Sequence, residues 1–564
     1  MCKIHSKAED ETRPFVANRP DQLSMRRRRR RELLQSFDKT SSKVDELSSK
    51  RAWSAWLDTF NLWSVSIDQI QSQYGIGVAS YFKVLKIVHL VNLYPTLASV
   101  VLYWSKYEVW QSQRNTTFST SARDIILGVG DYGDFIHFDT FPNMSSKSSM
   151  PIIYCSLAIL VLIISALQVS FYGHGACTTA VHYENQLSML VLFGYDHSVE
   201  RRKTAQLQRH SIRSQIEENL DNEYRLTGRG KRVTITIICW IIFSSILAGA
   251  CYLVMYMGQF DTDINDRLHW KIDNHRDFSF FLPLVTAITG TVLCRLVRVF
   301  YLIETNSSLH TVVVYLTRLL LIRIALLITF VFGILKHRTN ILHGDSGKVC
   351  WEATLGKDIY KLCVFQFLIQ LGFDVFIFDF FIGSLTRLFG TRKIDFDIES
   401  NSSDVIHLCC LTWIGFYFCP IIPALPLLLS VLLFYSKWIT VSCAVSPPKQ
   451  HINQPLIPMI LIIAISSVFL IIVLLLLLLL GSFIPSCGPF ENMDNPLESF
   501  KNLEWSGSHV LSKVVELLTS TGFLFFVAFS LFGYMLMIKT QAKGRQTEII
   551  RLRSMLKRIK DRNL

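Results

Sequence analysis

The polar side chains of greatest chemical interest lie in one long apolar segment, at about residues 358–386. Gln366, Gln370 and Asp374 recur every four residues in this segment, a spacing that places them on one face of an α-helix. Asp379 follows further along it. A carboxylate that faces lipid at the bilayer centre costs at least about 2.5 kcal/mol, so this polar face should meet water or other helices.

Two interpretations of this face are open from the residues alone. Amide side chains can replace part of an ion's hydration shell and a carboxylate supplies negative charge, which suits a cation pathway. The same groups could instead form hydrogen bonds between helices without any conduction. In another apolar segment, the hydroxyls of Thr286, Thr289 and Thr291 beside Gly290 fit either a pore wall or close helix packing.

The chain that positions these groups has the composition of a polytopic membrane protein. Of its 564 residues, 50% are hydrophobic and 18% charged, whereas a soluble protein carries about 25% charged residues. Several apolar runs reach the roughly 20 residues that a helix needs to cross a bilayer. A soluble multidomain enzyme, a secreted disulfide scaffold and a disordered protein are excluded. The predicted all-α fold has ten transmembrane helices, at about 78–104, 151–172, 233–257, 278–302, 316–335, 358–386, 405–422, 424–441, 456–482 and 513–538.

The seventh and eighth spans share one apolar stretch, residues 405–441, which is too long for a single ordinary crossing. Pro420, Pro423 and Pro426 interrupt it, so we predict two helices joined by a tight turn, with one long kinked helix as the alternative. An even number of spans places both termini on the same side. About three times as many Lys and Arg residues then fall in cytoplasmic segments as in outer ones, which favours cytoplasmic termini.

The segments that flank the channel-like domain at 78–538 are polar and basic. Residues 1–50 are predicted to be a disordered cytoplasmic tail, either touching anionic lipid or solvated. Residues 51–77 predict an amphipathic helix that lies in the membrane interface, packs against the protein's inner surface, or both. The loop at 194–232 is predicted to be a basic helix, which suits a calcium-sensor protein or a solvated linker. Residues 539–564 predict a basic cytoplasmic helix.

The outer loops carry signals for covalent modification. Asn115 and Asn143 begin N-glycosylation motifs in the loop between the first two spans, which this topology places outside. Cys350 and Cys487 are the two cysteines that fall in outer loops. We therefore expect a disulfide between them, with two free thiols as the alternative.

The remaining ionisable groups near the spans indicate no catalysis. The sequence has no Gly-rich phosphate loop, no His-Glu-x-x-His motif and no serine elbow. His174, His182 and Glu184 lie close in sequence but give a poor case for a metal site. Arg318 and Arg323, early in the fifth span, are expected to extend toward the lipid headgroups. We expect neither enzymatic activity, nor a cofactor, nor a metal.

One further motif connects the chain to a known family. Residues 350–362 resemble the signature of the transmembrane channel-like (TMC) family, and the matching positions are Cys350, Trp351, Glu352, Gly356, Tyr360, Lys361 and Leu362. Shorter matches follow in the family's order, at residues 80–82, 396–398, 413–415 and 487–490. Gln366 stands where family members commonly carry Asp, and this removes a pore carboxylate on which calcium permeability would depend.

The resemblance implies an architecture like that of the anoctamin scramblases and OSCA channels, with spans four to seven lining a pore. It implies a homodimer formed through the last span, in the plasma membrane. It further implies the pore-forming subunit of a mechanically gated cation channel, with a small membrane subunit and an EF-hand calcium-binding protein that binds 194–232. The alternatives are a lipid scramblase and a non-conducting scaffold in the endoplasmic reticulum membrane that regulates another transporter.

Overall fold

The computed structural model describes residues 63–74, 76–111, 136–141, 150–179, 229–269, 280–303, 308–338, 350–382, 396–443, 456–485 and 487–491. The chain divides into two compact units, residues 1–65 and 66–564, and the contacts given below lie within the second. Among the described residues every regular element is helical, which confirms the all-α class. The predictions for the tenth span, both terminal segments, residues 194–228, Asn115 and Asn143 concern positions outside the described residues.

The described residues form ten α-helices. They are α1 Ser64–Tyr74, α2 Ile76–Gln111, α3 Met150–Thr179, α4 Arg229–His269, α5 Phe281–Ile303, α6 Ser308–Gly333, α7 Trp351–Ile369, α8 Ile398–Phe418, α9 Ala424–Cys443 and α10 Leu456–Ser482. Helix α6 continues as a short π-helix, Ile334–Arg338. Helix α7 continues as a longer one, Gln370–Ile382, which we call the π segment.

Seven of the described helices are long and apolar enough to cross a membrane, namely α2 to α6, α9 and α10. The protein is therefore a polytopic membrane protein. Helix α7 carries too many ionisable residues for that criterion, and α8 is too polar for it, although α8 is 21 residues long, or about 31 Å. Nearly all of α8 is buried, because α2, α3, α6, α7, α9 and α10 pack around it. Its polar residues thus meet protein rather than lipid.

The predicted break within residues 405–441 is confirmed. Helix α8 ends at Phe418, residues 420–423 form a turn, and α9 begins at Ala424. The amide of Ile422 donates to the carbonyl of Cys419 within this turn (3.1 Å). The prolines lack the amide donor that a continuous helix would need, and this excludes the single kinked helix.

Two helices begin earlier than the predicted spans, which start near residues 358 and 405. Helix α7 begins at Trp351, and α8 begins at Ile398, where the Asp397 carboxylate accepts a hydrogen bond from the amide of Ser400 (2.9 Å). The additional turns of α7 and α8 contain charged residues, so hydropathy alone does not assign them to a span. Those charges are satisfied within the bundle, so the helices extend further than hydropathy indicates.

Contacts at the helix ends form two separate groups. At one end, Tyr154 at the start of α3 donates to the carbonyl of Tyr417 at the end of α8 (2.5 Å). At the other end, Tyr315 near the start of α6 donates to Asp397 before α8 (3.1 Å). In the predicted topology α3 begins and α8 ends on the outer side, whereas α6 and α8 both begin on the inner side. We therefore call the first end outer and the second inner.

Helices α5 and α8 each pack against both α6 and α7. The four helices therefore form a closed arrangement in which α6 and α7 lie on opposite sides, which we call the four-helix ring. These helices correspond to spans four to seven, the set that the family resemblance implied as pore-lining. The ring positions the candidate site.

Candidate functional site

The outer end of α7 is held by the family-signature residues. Cys350, which precedes α7, forms a disulfide with Cys487, with their Cα atoms 5.5 Å apart. The Trp351 ring packs against Phe418 and Phe483, with centroids 5.8 and 5.6 Å away, and its indole N–H donates to the carbonyl of Ile484 (3.1 Å). We call this region, together with the aromatic cluster described next, the outer cap.

An aromatic cluster that the sequence did not predict completes the outer cap. Tyr154 makes edge-to-face contacts with Phe138 and Phe490, and Tyr417 stacks on Phe490. Gly488 has a left-handed φ of 71°, and a Cβ there would lie 2.7 Å from the Phe138 ring. These residues come from four separate segments, so no local pattern marks them as neighbours.

Close backbone contact joins α7 to α8 beneath the cap. A Cβ on Gly356 would collide with the carbonyl of Phe418. One turn further along α7, Ile359 contacts Gly415, where a Cβ would lie 3.3 Å from the isoleucine side chain. The glycine of the family signature is therefore explained by packing. The two contacts also show that α7 and α8 run antiparallel with a constant register.

The charged signature residues are buried as well. Glu352 is 2% exposed, and its carboxylate lies 3.9 and 3.7 Å from the sulfur atoms of Cys350 and Cys487. Lys361 lies 3.6 Å from Asp358, and both side chains are enclosed. Asp358 lies two turns inside α7, and the ion pair with Lys361 satisfies its charge.

The register between α7 and α8 locates the predicted polar face. When this register is extended from the two contacts toward the inner end, Gln370 of the π segment lies level with Asp404 of α8. Gln366 lies one turn further out, near His407. Asp404 lies about 9 Å from the inner end of α8 and about 21 Å from its outer end, at 1.5 Å per residue. These four side chains therefore occupy two adjacent turns in the interior of the bundle.

Helices α5 and α6 contribute to the same level. Arg323 of α6 forms an ion pair with Asp404 through its Nη2 atom. Its Nη1 atom lies 3.1 Å from the position that a Cβ on Gly290 of α5 would occupy. We call Gly290, Arg323, Gln370 and Asp404 the polar layer, since each helix of the ring supplies one residue. Arg323 extends from α6 to both of its neighbours in the ring, α5 and α8.

Several polar atoms at and next to this layer have no hydrogen-bond partner among the described residues. Gln366 and Gln370 are 1% and 3% exposed; both amide atoms of the first and the carbonyl oxygen of the second lack partners. The same holds for the Ser403 hydroxyl and for Nδ1 of His407 on α8. Each buried polar atom without a partner costs about 1–3 kcal/mol. The ring is packed shut here, with unsatisfied groups that entering water would satisfy.

The backbone departs from α-helical geometry at Gln370, where the π segment begins. The prediction that Asp374 continues the face of Gln366 and Gln370 assumed α-helical spacing, so it does not apply beyond Gln370. Asp374 and Asp379 belong to the π segment, and their side chains lie outside the described residues. Stretches of π-helix are frequent at functional sites, because the extra residue per turn weakens regular packing.

The hydroxyls of Thr286 and Thr291 form hydrogen bonds within their own helix, α5. Thr286 donates to the carbonyl of Leu282 (2.7 Å) and Thr291 to that of Ala287 (3.0 Å). Both are buried, while Thr289 is partly exposed. In this conformation Thr286 and Thr291 fit the packing interpretation, and Gly290 between them provides room for Arg323. A pore-lining role for Thr286 and Thr289 stays a prediction.

The two arginines of α6 do not reach toward the headgroups, so that prediction was wrong. Arg318 is 1% exposed, and its guanidinium carbon lies 4.7 Å from the ring centroid of Trp240. The rings of Phe243 and Phe300 lie 5.8 and 5.7 Å away, so aromatic faces stabilise this charge. Arg323 is equally enclosed and is stabilised by Asp404. Such long-range partners leave no signal in a hydropathy pattern.

The fold defines a polytopic membrane protein with a buried polar layer. The TMC domain family matches residues 350–455, which run from the outer cap through α7, α8 and α9. Over 80% of its length, the chain is 24% identical to transmembrane channel-like protein 5 of Mus musculus. The chain is therefore similar to transmembrane channel-like (TMC) proteins over most of its length.

Two further relatives extend the comparison. Transmembrane channel-like protein 6 of Homo sapiens is 22% identical over 86% of this chain and 65% of its own length. A relative named voltage-gated chloride channel TMC4, also of Homo sapiens, is 23% identical over 74% of this chain and 67% of its own. The chain spans about half of the length of the protein 5 relatives, 48% in the mouse.

Proposed function

We propose that the protein is the pore-forming subunit of a mechanically gated, non-selective cation channel. The observation that supports this most is that the buried amide of Gln366 and the buried amide oxygen of Gln370 have no hydrogen-bond partner among the described residues of the four-helix ring. Apolar residues at these positions would pack without that cost. A ring that opens to water would hydrate the amides, so the closed state stores part of the energy for opening.

The charges near the layer suit a pathway with weak selectivity. The two amides are neutral, and Arg323 and Asp404 compensate each other. Asp374 and Asp379 follow on the π segment and add negative charge toward the inner end. This favours cations without a strong filter, and we infer low calcium preference because Gln366 carries no charge.

Mechanical gating has a physical route through the amino-terminal helices. Helix α1 ends at Tyr74 and α2 begins at Ile76, so the two are joined almost directly. Ile67 and Ile70 of α1 are buried, while residues 51–62 lie outside the described residues. A helix held in the membrane interface would transmit tension to α2, which packs on α8.

The test is reconstitution of the purified protein in liposomes, with membrane stretch applied to excised patches. Current that grows with stretch and reverses between the sodium and chloride equilibrium potentials, nearer to sodium, supports the proposal. Asp374→Lys should shift reversal toward chloride. Unchanged conductance and ion preference in this variant would contradict the assignment of the pathway to α7.

Chloride conduction is a second candidate. The buried Arg323 of α6 places positive charge inside the four-helix ring, and one relative carries the name of a voltage-gated chloride channel. Current that is insensitive to stretch, depends on voltage and reverses at the chloride equilibrium potential would favour this candidate over the first.

The remaining proposals concern assembly and location. We propose a homodimer, a small membrane subunit, an EF-hand partner at 194–232, and glycans on Asn115 and Asn143. Glycans matured beyond the high-mannose form would support the plasma membrane, and high-mannose glycans alone would support the endoplasmic reticulum and the scaffold role. Fluorescent-lipid flip measured in the same liposomes, without current, would indicate a scramblase.

A further inference from the structure

The Arg323–Asp404 ion pair is enclosed in the ring, with side-chain exposures of 3% and 8%. It is placed level with Gln370, because contacts at Gly356 and Ile359 fix the register of α7 against α8. The neighbouring amides carry no charge. The pair contributes two fixed charges at this level, and the buried Lys437 ammonium of α9 lies one turn further in, where it donates to Asn401 of α8 (2.7 Å).

We propose that this ion pair sets the charge selectivity of the pathway, with Arg323 compensating the carboxylate of Asp404. The proposal rests on the channel function proposed above. Opposite charges in direct contact present little net field to an ion that passes beside them. In a medium of low dielectric constant, removing one partner changes the net charge beside the pathway by one unit, and a passing ion feels that change strongly.

The geometry of α5 is matched to this role. Gly290 leaves the space into which the Arg323 guanidinium extends, since a Cβ there would lie 3.1 Å from Nη1. The planar guanidinium thus spans from α5 to the carboxylate on α8, which a lysine ammonium at the same position would not do. The positive charge is held within the ring and beside Asp404.

The two partners predict opposite effects. Arg323→Gln should leave the Asp404 carboxylate uncompensated and raise the permeability of sodium relative to chloride, on the order of tenfold. Asp404→Asn should remove one negative charge beside the guanidinium and lower that ratio by a similar factor. A salt bridge with a purely structural role would lose current in both variants without shifting the reversal potential in opposite directions.

Arg318→Gln is the matched control, because it makes the same substitution on the same helix. Arg318 lies among the aromatic rings of α4 and α5 rather than beside Asp404. The reversal potential of this variant should equal that of the wild type. The exchanged double variant Arg323→Asp/Asp404→Arg restores an ion pair and should also keep the wild-type ratio.

The measurement is the reversal potential of stretch-activated current in liposomes under a sodium chloride gradient. Opposite shifts in the two single variants, with both controls unshifted, support the proposal. Wild-type current with single variants that shift alike or not at all overturns it while leaving the channel function intact. A wild type without current overturns the channel function and this role together.

A second variant keeps the proposal testable if either single variant fails to fold. Gln370→Glu adds a carboxylate at the same level without removing a partner, and should raise the ratio of sodium to chloride permeability. A Gln370→Glu channel that conducts with the wild-type ratio would show that ions do not pass this level, and would overturn the proposal.

Discussion

The outer cap and the polar layer are both buried, yet they differ in how far their polar atoms are hydrogen-bonded. In the cap, the Trp351 indole and the Tyr154 hydroxyl each have a carbonyl acceptor, and glycines allow backbones to touch. In and beside the layer, amide, hydroxyl and imidazole atoms lack partners among the described residues. Hydrogen bonds and close packing stabilise the cap, whereas the described contacts leave polar atoms of the layer without that stabilisation.

This difference predicts that substitutions in the two regions have opposite signs. The largest effect is expected for Gly356→Val, because its side chain would overlap the backbone carbonyl of Phe418 and nothing there can move aside. We expect destabilisation by more than about 4 kcal/mol, the range of exceptional substitutions. The readout is the yield and thermal stability of the detergent-solubilised protein. Gly249→Ala in α4 is the control, since a Cβ there meets nothing within 4 Å; equal loss in both variants would refute the packing explanation.

Trp351→Ala should cost about 3–4 kcal/mol, since the cap loses two ring contacts and one hydrogen bond. Its matched control is Trp104→Ala, which removes a tryptophan that is 71% exposed on α2. Thermal unfolding of both variants gives the comparison. A larger loss at Trp104 than at Trp351 would contradict the stabilising role of the cap.

Gln366→Leu should act in the opposite direction. Removing an unsatisfied amide from the ring should stabilise the protein by about 1–2 kcal/mol, while stretch-activated current should fall because the open ring loses a polar contact for water and ions. Thermal unfolding and patch recording of the same preparation test both parts. A variant that is less stable than the wild type would mean that the amide has a partner in the folded protein.

The smallest effect is expected for Thr286→Val. The hydroxyl bonds within its own helix, so its loss should change the free energy of unfolding by no more than about 1 kcal/mol. Conductance should also be close to that of the wild type, as recorded in the same liposome patches. A large loss of conductance at normal stability would instead assign Thr286 to the pore wall.

The sequence predicted features that depend on local chemistry. Three prolines were sufficient to separate α8 from α9, and the four-residue spacing was sufficient to single out Gln366 and Gln370 as the amides of one helix face. It could not predict the Arg323–Asp404 pair, because the partners lie on different spans, and hydropathy carries no information about register between helices. The π segment was also missed, since its apolar sequence is equally compatible with an α-helix. Those features arise from tertiary packing, which overrides local preference.

The most direct test of an aqueous pathway along α7 is the accessibility of position 370 to a charged, membrane-impermeant thiol reagent during stretch. Gln370→Cys channels should lose current irreversibly when the reagent is applied under tension, and should be protected without it. Leu368→Cys is the control, since residue 368 is 48% exposed on the outside of the bundle and its modification should leave the current unchanged, as should the reagent on the wild type. Modification of Leu368→Cys channels with loss of current, while Gln370→Cys channels stay unaffected at every tension, would contradict a water-filled ring.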